Sequence, residues 1–473
     1  MTERTLARNT TYYTAALTVQ KILSFVYFWF ISSRLFPDQL GQYVFALSFA
    51  SLFSILIDLG LSPVLTREAA KKDEDSNNLL ANILGIKIPL AIITLLVIWL
   101  VITLSSKPES VKMLVYLASF VTLLDSFSLT FWMVFRAKHN LKFESIATIF
   151  VQSIIFVLGL TALFLSGSIF NLILALLAAS IFNFLFGLSL LKIKLKFSLK
   201  PRYHLETIIK LLKIMPAFAL AGIFVKIYNV SDSVLLSFLA SDQAVGLYSV
   251  PYKVILAFQQ IIPVAFAAVI FPAFSYYYVH SKEKLEESFT KAYRYLLIIS
   301  IPLSAGLVFL AEPIIVTIWP NYQPVINTFT IMSLALPFIF LAFPTGYMLN
   351  ACDRQRNTTF VRGVGVVLSV AFNLILIPWL GYFGAGITFL ITNVALLFLD
   401  FWFVKKIIKI NWAVFVKIFG QVLLATLAMV VIILSLSKNL NIFLVAPIGA
   451  ISYFACLYLL GGFKFAEFKF IKS

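Results

Sequence analysis

Charge is what this chain has least of: only 12% of its 473 residues are Asp, Glu, Lys or Arg, about half the usual share in soluble domains. A water-facing surface cannot be built from so few charges, which excludes an ordinary soluble enzyme. Cysteine occurs twice, as Cys352 and Cys456, in no C-x-x-C or metal-ligand spacing, so both read as isolated thiols and no disulfide framework is implied. The three histidines, His139, His204 and His280, fall in separate loops. No H-E-x-x-H, G-x-S-x-G or G-x-x-x-x-G-K-[ST] pattern occurs, which excludes the zinc hydrolase, serine hydrolase and P-loop motor signatures. No catalytic residue, metal or cofactor is expected, and no connecting loop is long enough to fold as a catalytic domain.

What fills the chain is apolar side chains, 61% of the total, with 48 phenylalanines. Runs of about 20 apolar residues are the length that crosses a bilayer as a helix. Fourteen are legible, near 12–34, 42–62, 81–104, 113–135, 144–165, 169–191, 214–238, 245–274, 293–316, 326–350, 359–379, 384–404, 414–436 and 441–462. The expected fold is an all-α polytopic membrane protein. The first run follows Met1–Thr10 without a small-residue cleavage site, so it is expected to be kept.

The net charge of +17 invites a nucleic-acid reading until its placement is examined. Alternate loops carry 29 Lys and Arg, and the intervening set only Arg34, Lys107, Lys112 and Lys438. That is the positive-inside bias, which puts both termini in the cytoplasm and leaves no nucleic-acid partner to explain. A missing or surplus span would invert the bias from that point on, and no inversion occurs. The basic connection near 192–213 separates six spans from the next six. It gives a division into 1–200 (helices 1–6), 201–410 (helices 7–12) and 411–473 (helices 13–14 and tail). Lys194, Lys196, Lys200 and Arg202 there suit anionic lipid headgroups as well as plain topological anchoring. The tail Phe463–Phe470 alternates aromatics with charge and is expected at the membrane interface.

Four lysines remain, and all lie inside spans: Lys21, Lys87, Lys226 and Lys253. A charge at mid-bilayer costs about 2.5–3.5 kcal/mol on insertion scales, so it turns toward a bundle interior or a watery cavity. Lys21 is roughly 14 Å and Lys226 roughly 18 Å from the cytoplasmic end of its span, at about 1.5 Å per residue. Each is followed twenty residues later by Gly-x-Tyr, at Gly41-Gln42-Tyr43 and Gly246-Leu247-Tyr248, an offset of 205 residues between the two sets. Such a recurrence suggests two related halves. Lys226, Asn229 and Ser233 share one helical face, with Asp232 beside it, and Tyr13, Gln20, Ser24 and Tyr27 form a polar stripe flanked by Lys21. Both stripes are candidates to face a pathway.

Two readings of the internal charges stand side by side. In one, Lys21, Lys226, Lys253 and Lys87 line a cationic cavity that attracts phosphate or carboxylate. In the other they neutralise carboxylates at matching depth, Asp58 with Lys87 and Asp232 with Lys253, while Asp125 lies nearest the depth of Lys21. Asp125, Asp58, Asp232 and Asp400 also suit proton or sodium relays. Prolines inside the spans, among them Pro89, Pro216, Pro263 and Pro302, kink helices and serve either packing or motion.

Two sets of local motifs carry a family resemblance. Asn373-Leu374-Ile375-Leu376-Ile377-Pro378, Gly381 and Gly384-Ala385-Gly386 resemble the eleventh-to-twelfth-helix signature of polysaccharide exporters. Leu40-Gly41-Gln42-Tyr43, Asp58-Leu59-Gly60-Leu61 and Arg67-Glu68-Ala69-Ala70 resemble the signature around their second helix. The chain is similar, over nearly its whole length, to Wzx-type flippases of lipid-linked oligosaccharides, within the multidrug/oligosaccharidyl-lipid/polysaccharide exporter superfamily. The resemblance implies a MATE-like bundle of two six-helix lobes related by a pseudo-twofold axis, plus two C-terminal helices. It implies flipping of an undecaprenyl-pyrophosphate-linked oligosaccharide across the bacterial cytoplasmic membrane by alternating access, with membrane lipid and other polysaccharide-assembly proteins as partners. An ion-coupled drug or metabolite antiporter of the same superfamily is the alternative, and a membrane-embedded polysaccharide enzyme a third.

Overall fold

The computed structural model describes residues 3–71, 75–437 and 440–462; the tail segment Phe463–Phe470 lies outside them. Among the described residues the chain is helical throughout, without strands. In chain order the helices are α1 (Glu3–Arg34), α2 (Pro37–Asp58), α3 (Leu61–Ala69), α4 (Ser76–Leu104), α5 (Glu109–Ala137), α6 (Lys142–Leu165), α7 (Ile169–Ile193) and α8 (Leu205–Leu239). They continue as α9 (Asp242–His280), α10 (Lys282–Phe309), α11 (Ala311–Ile318), α12 (Ile326–Ser333), α13 (Leu336–Ala351), α14 (Gln355–Val404), α15 (Trp412–Leu436) and α16 (Ile442–Leu459), with a 3₁₀ segment Pro320–Val325 before α12. Side-chain caps start several of them. Asp75 accepts from Asn77 N at 2.9 Å, Ser281 from Lys284 N at 3.3 Å and Asn441 from Phe443 N at 3.2 Å, each satisfying a donor the helix cannot.

Thirteen of the described helices are long and apolar enough to cross a membrane, against fourteen expected runs. The difference lies in α14. Its 50 residues would extend about 75 Å, far more than a hydrocarbon core of about 30 Å. At Gly381 the backbone leaves the helix, with φ 56° and ψ −136°. The chain doubles back there: a Cβ on Gly384 would fall 2.4 Å from Leu376 O, and one on Gly365 2.7 Å from Leu396 Cδ2. Both pairs are centred close to residue 380, so the expected spans 359–379 and 384–404 are the two arms of a hairpin. A side chain at this φ and ψ is strained, so Gly381→Ala should lower stability by about 1–3 kcal/mol, read as a fall in melting temperature; an unchanged melting temperature would refute the hairpin constraint.

Other departures have local causes. α2 stops at Asp58 because Leu59 (φ 41°) and Gly60 (φ 80°) are left-handed, which sets off short α3. The expected span 326–350 is assembled from α12 and α13, broken before Pro337, whose missing N–H and ring disfavour an unbroken helix. The ninth run ends at Phe309, its last residues belonging to separate α11.

Residues up to Gly246 form one compact unit, and those from Leu247 onward another. In the first, α1 packs on α6, α5 on α2 and α7, and α8 on α2, α3 and α4. The linker 194–204 is fixed to α4: Asn77 Oδ1 accepts from Ser198 N at 2.9 Å, Ala81 O from Arg202 N at 3.0 Å and Asn82 Oδ1 from His204 N at 2.7 Å. Glu68, buried on α3, gathers Lys71 at 2.6 Å and Lys210 at 3.6 Å. Burial alone would raise its pKa, but the Lys71 hydrogen bond and the charges of Lys71, Lys210 and Arg67 hold it below the ordinary glutamate value. In the second unit α10 packs on α12, α13 and α15, α14 on α12 and α13, and α15 on α16. Cys352, just past α13, is buried, which pushes its thiol up to about 11 and leaves it unreactive.

Candidate functional site

In the first unit α2, α3, α5 and α8 enclose a cavity of about 390 Å³. Its polar wall comprises Ser51, Ser54 and Asp58 of α2, Thr122, Asp125 and Ser126 of α5, and Lys226 of α8. The left-handed turn at Leu59–Gly60 helps form the wall where α2 ends, and the exposed Gly222 of α8 keeps it open. Two carboxylates and one ammonium thus face one space inside a membrane-length bundle.

The two carboxylates differ in how fully they are satisfied. Lys87 is wholly buried, and its ammonium donates to Asp58 Oδ1 at 2.7 Å, Ser126 O at 2.9 Å and Thr130 Oγ1 at 2.6 Å. An ammonium has three donors, so Lys87 has none left for a ligand. Ser62 donates to the same carboxylate through both its hydroxyl and its backbone N–H. This is the Asp58–Lys87 pairing anticipated from their depths. Asp125 receives a single hydrogen bond among the described residues, from Ser180 Oγ of α7 at 2.7 Å. Its charge partner is Lys226 rather than Lys21: the two interact electrostatically but make no ion pair within contact distance.

Lys226 makes no hydrogen bond among the described residues. It is half-buried, one turn from exposed Asn229, as the expected face of α8 requires. Lys21 is exposed on α1. The stripe expected beside it divides differently: Tyr13 bonds Arg136 Nη2 at 2.7 Å, and Tyr27 is buried against Gly159 of α6. The exposed polar residues are Thr14, Thr18, Lys21 and Ser24, on an arc adjoining the exposed apolar arc of Val19, Ile22 and Trp29. That polar arc also carries the exposed Phe25, and Lys21 is not among the residues lining the cavity of α2, α3, α5 and α8. Asp232 is buried on α8, and Lys253 is half-buried on α9 of the second unit. Asp400, in the second unit, is fully buried with Arg362 at 3.7 Å and no hydrogen bond to either carboxylate oxygen among the described residues.

Loop reading missed a second polar cluster. Lys107, between α4 and α5, donates to Asp242 Oδ1 and Ser237 O, each at 2.6 Å, while Ser237 Oγ bonds the same carboxylate. The ammonium lies 4.9 Å from the Phe45 ring centre and 5.5 Å from that of Phe238. Beside it the N-terminal turns of α2 and α9 cross with no space between backbones: a Cβ on Gly41 would lie 1.6 Å from Asp242 O, and one on Gly246 1.8 Å from Pro37 O. Pro37 and Asp242 are 205 residues apart, as are Gly41 and Gly246, so the contact is reciprocal and repeats the offset of the Gly-x-Tyr pair. Only loop charge marked Lys107, and loop charge says nothing of a partner.

In the second unit α10, α11, α15 and α16 surround a cavity of about 550 Å³ with almost wholly apolar walls, including Ile298, Leu303, Met429, Ile433 and Phe454. Tyr453 supplies one of its few polar groups, and its hydroxyl is spent on Ile298 O at 2.7 Å. Among the described residues no three His, Cys, Asp or Glu side chains converge as a metal site would require.

Residues 6–278 match the model of the family described as polysaccharide biosynthesis protein. Among solved structures, the lipid II flippase MurJ in an inward closed conformation superposes with a TM-score of 0.78 over 95% of this chain and 97% of its own, at 15% identity. An inward-facing multidrug resistance MATE family transporter of the MOP superfamily superposes with a TM-score of 0.66 over 82% and 94%, also at 15% identity. A MOP superfamily transporter from Pyrococcus furiosus gives 0.57 over 85% and 95%, again at 15% identity. At that identity the likeness establishes a common MATE and MurJ fold, that of a multi-pass membrane protein. No curated protein matches the chain in sequence.

Proposed function

From the premise that the chain belongs to the polysaccharide biosynthesis protein family, we propose that it is a flippase moving an undecaprenyl-pyrophosphate-linked oligosaccharide from the cytoplasmic to the outer leaflet. The observation that carries this reading is Lys226, an ammonium facing an internal cavity with no hydrogen bond among the described residues. A membrane-embedded cation that the fold does not consume is suited to an anionic group, and pyrophosphate is such a group. Lys21, exposed on α1 and outside the cavity lining, is the second candidate for the same anion; Lys87 is not, because Asp58, Ser126 and Thr130 occupy its donors. The apolar cavity of the second unit suits a polyprenyl tail. Loop charge supports a bacterial cytoplasmic membrane location with both termini cytoplasmic, and the 205-residue offset supports two pseudo-symmetric lobes, 1–200 and 201–410, preceding helices in 411–473.

The drug or metabolite antiporter reading keeps one specific support: Asp58 and Asp125 share the cavity with Lys226, and carboxylates would bind a cationic substrate or carry a coupling ion. One experiment separates the two. The double substitution Lys21→Ala and Lys226→Ala should remove surface polysaccharide, by at least about tenfold for the loss of two charge-assisted contacts, at unchanged protein abundance. Normal polysaccharide in that strain, or drug resistance conferred by overexpression, would instead support the antiporter.

A further inference from the structure

Of the two carboxylates lining the cavity, Asp58 has an ammonium in contact and Asp125 does not. Asp58 is held by Lys87 and twice by Ser62, so its charge is answered within the protein. Asp125 is fixed from behind by Ser180, which leaves its other oxygen without a hydrogen bond among the described residues. Lining the same cavity is Lys226, whose three N–H donors make no hydrogen bond among the described residues. The two sense each other electrostatically without closing into an ion pair, and Asp125 is exposed to the cavity between them. The gap between them is the polar centre of the cavity.

An anion entering this space meets an attractive ammonium and a repulsive carboxylate together. Resting on the reading of Lys226 as an anion site, we propose that Asp125 is a specificity-determining competitor for Lys226, which holds the affinity for pyrophosphate low enough for release. A transport site has to bind strongly enough to load and weakly enough to unload, and a fixed opposing charge meets both needs without a separate trigger. Asp125 also disfavours anions that can reach Lys226 only by approaching the carboxylate. Asp58 with Lys87 adds no net charge, so the balance rests on the Asp125–Lys226 pair.

The test is calorimetric titration of inorganic pyrophosphate into the full chain in nanodiscs. Asp125→Asn, which keeps the Ser180 contact, should tighten binding about tenfold by removing one opposing unit charge. Asp125→Ser is a second neutral variant and should act in the same direction if the first does not fold. Lys226→Ala should abolish measurable binding, and Asp125→Asn combined with it should bind no better than Lys226→Ala alone. If neutral variants at 125 leave the affinity unchanged or weaken it while Lys226→Ala still abolishes binding, the competition is refuted and the anion site survives. If Lys226→Ala leaves pyrophosphate binding intact, the anion site itself falls, and the competition with it.

Discussion

Replacing Lys87 with methionine should destabilise the protein by about 3 kcal/mol, the lower end of what breaking a buried ion pair costs. Lys87 is wholly buried, whereas the Asp58 side chain is 20% exposed toward the cavity. Without the ammonium, Asp58 keeps Ser62 but loses its counter-charge, and Ser126 O and Thr130 Oγ1 each lose a donor. Water reaching Asp58 from the cavity softens the penalty, which is why the lower end applies. Adding Asp58→Asn should recover a large part of the loss, because the uncompensated charge is the expensive component. Thermal unfolding of the solubilised protein measures both. A methionine variant that melts with the parent would mean Lys87 does not hold α2, α4 and α5 together, and would return it to the pool of possible ligand contacts.

The Asp58–Lys87 pair was legible in the sequence because depth is. Counting residues from a span end at a fixed rise per residue gives height in the membrane, and opposite charges at one height are natural partners. Azimuth is not legible in the same way. Lys226 and Asp125 came together although depth had set Asp125 beside Lys21, since only packing decides which faces of α5 and α8 meet. Ser62, Thr130 and Ser180 were invisible as partners for the same reason: hydroxyls are common in membrane helices and bond their own backbone unless something better is near, as Thr94 does to Leu90 O at 2.7 Å. The spans themselves were readable from hydropathy and loop charge. Their internal breaks were less so, because Pro302 sits inside continuous α10 while Pro337 stands at the start of a new helix. The same residue type continues or ends a helix according to whether neighbours satisfy the freed carbonyl. The break between the spans 359–379 and 384–404 was readable, but that Gly381 makes it as a tight reversal follows from its backbone angles and from the approach of Gly384 to Leu376 and of Gly365 to Leu396.

Gly41→Val and Gly246→Val, made separately, should each reduce transport by more than about tenfold, an effect of over 1.4 kcal/mol on the closed arrangement. A Cβ 1.6 Å from Asp242 O or 1.8 Å from Pro37 O cannot be accommodated by a side-chain rotation, since both obstacles are backbone. The helices have to separate, and glycine at such crossings is what lets membrane helices approach closely. Because Gly41 meets the turn of α9 as Gly246 meets the turn of α2, the two substitutions should give the same phenotype, which unrelated glycines have no reason to share. Separation would also pull Asp242 from Lys107, at 2.6 Å in the closed contact, so a cysteine replacing Ser237 should become more reactive toward a polar thiol reagent in either valine variant. Lys107→Gln should expose the same cysteine while leaving the glycine contact in place, and so should slow transport less than either valine does. If the chain works by the alternating access and orientation proposed above, this crossing would close the end of the pathway opposite the basic loops, and a chain that cannot close there would lose its inward-open state. Full transport with an unreactive cysteine at 237 in both valine variants would show that the crossing opens and closes nothing.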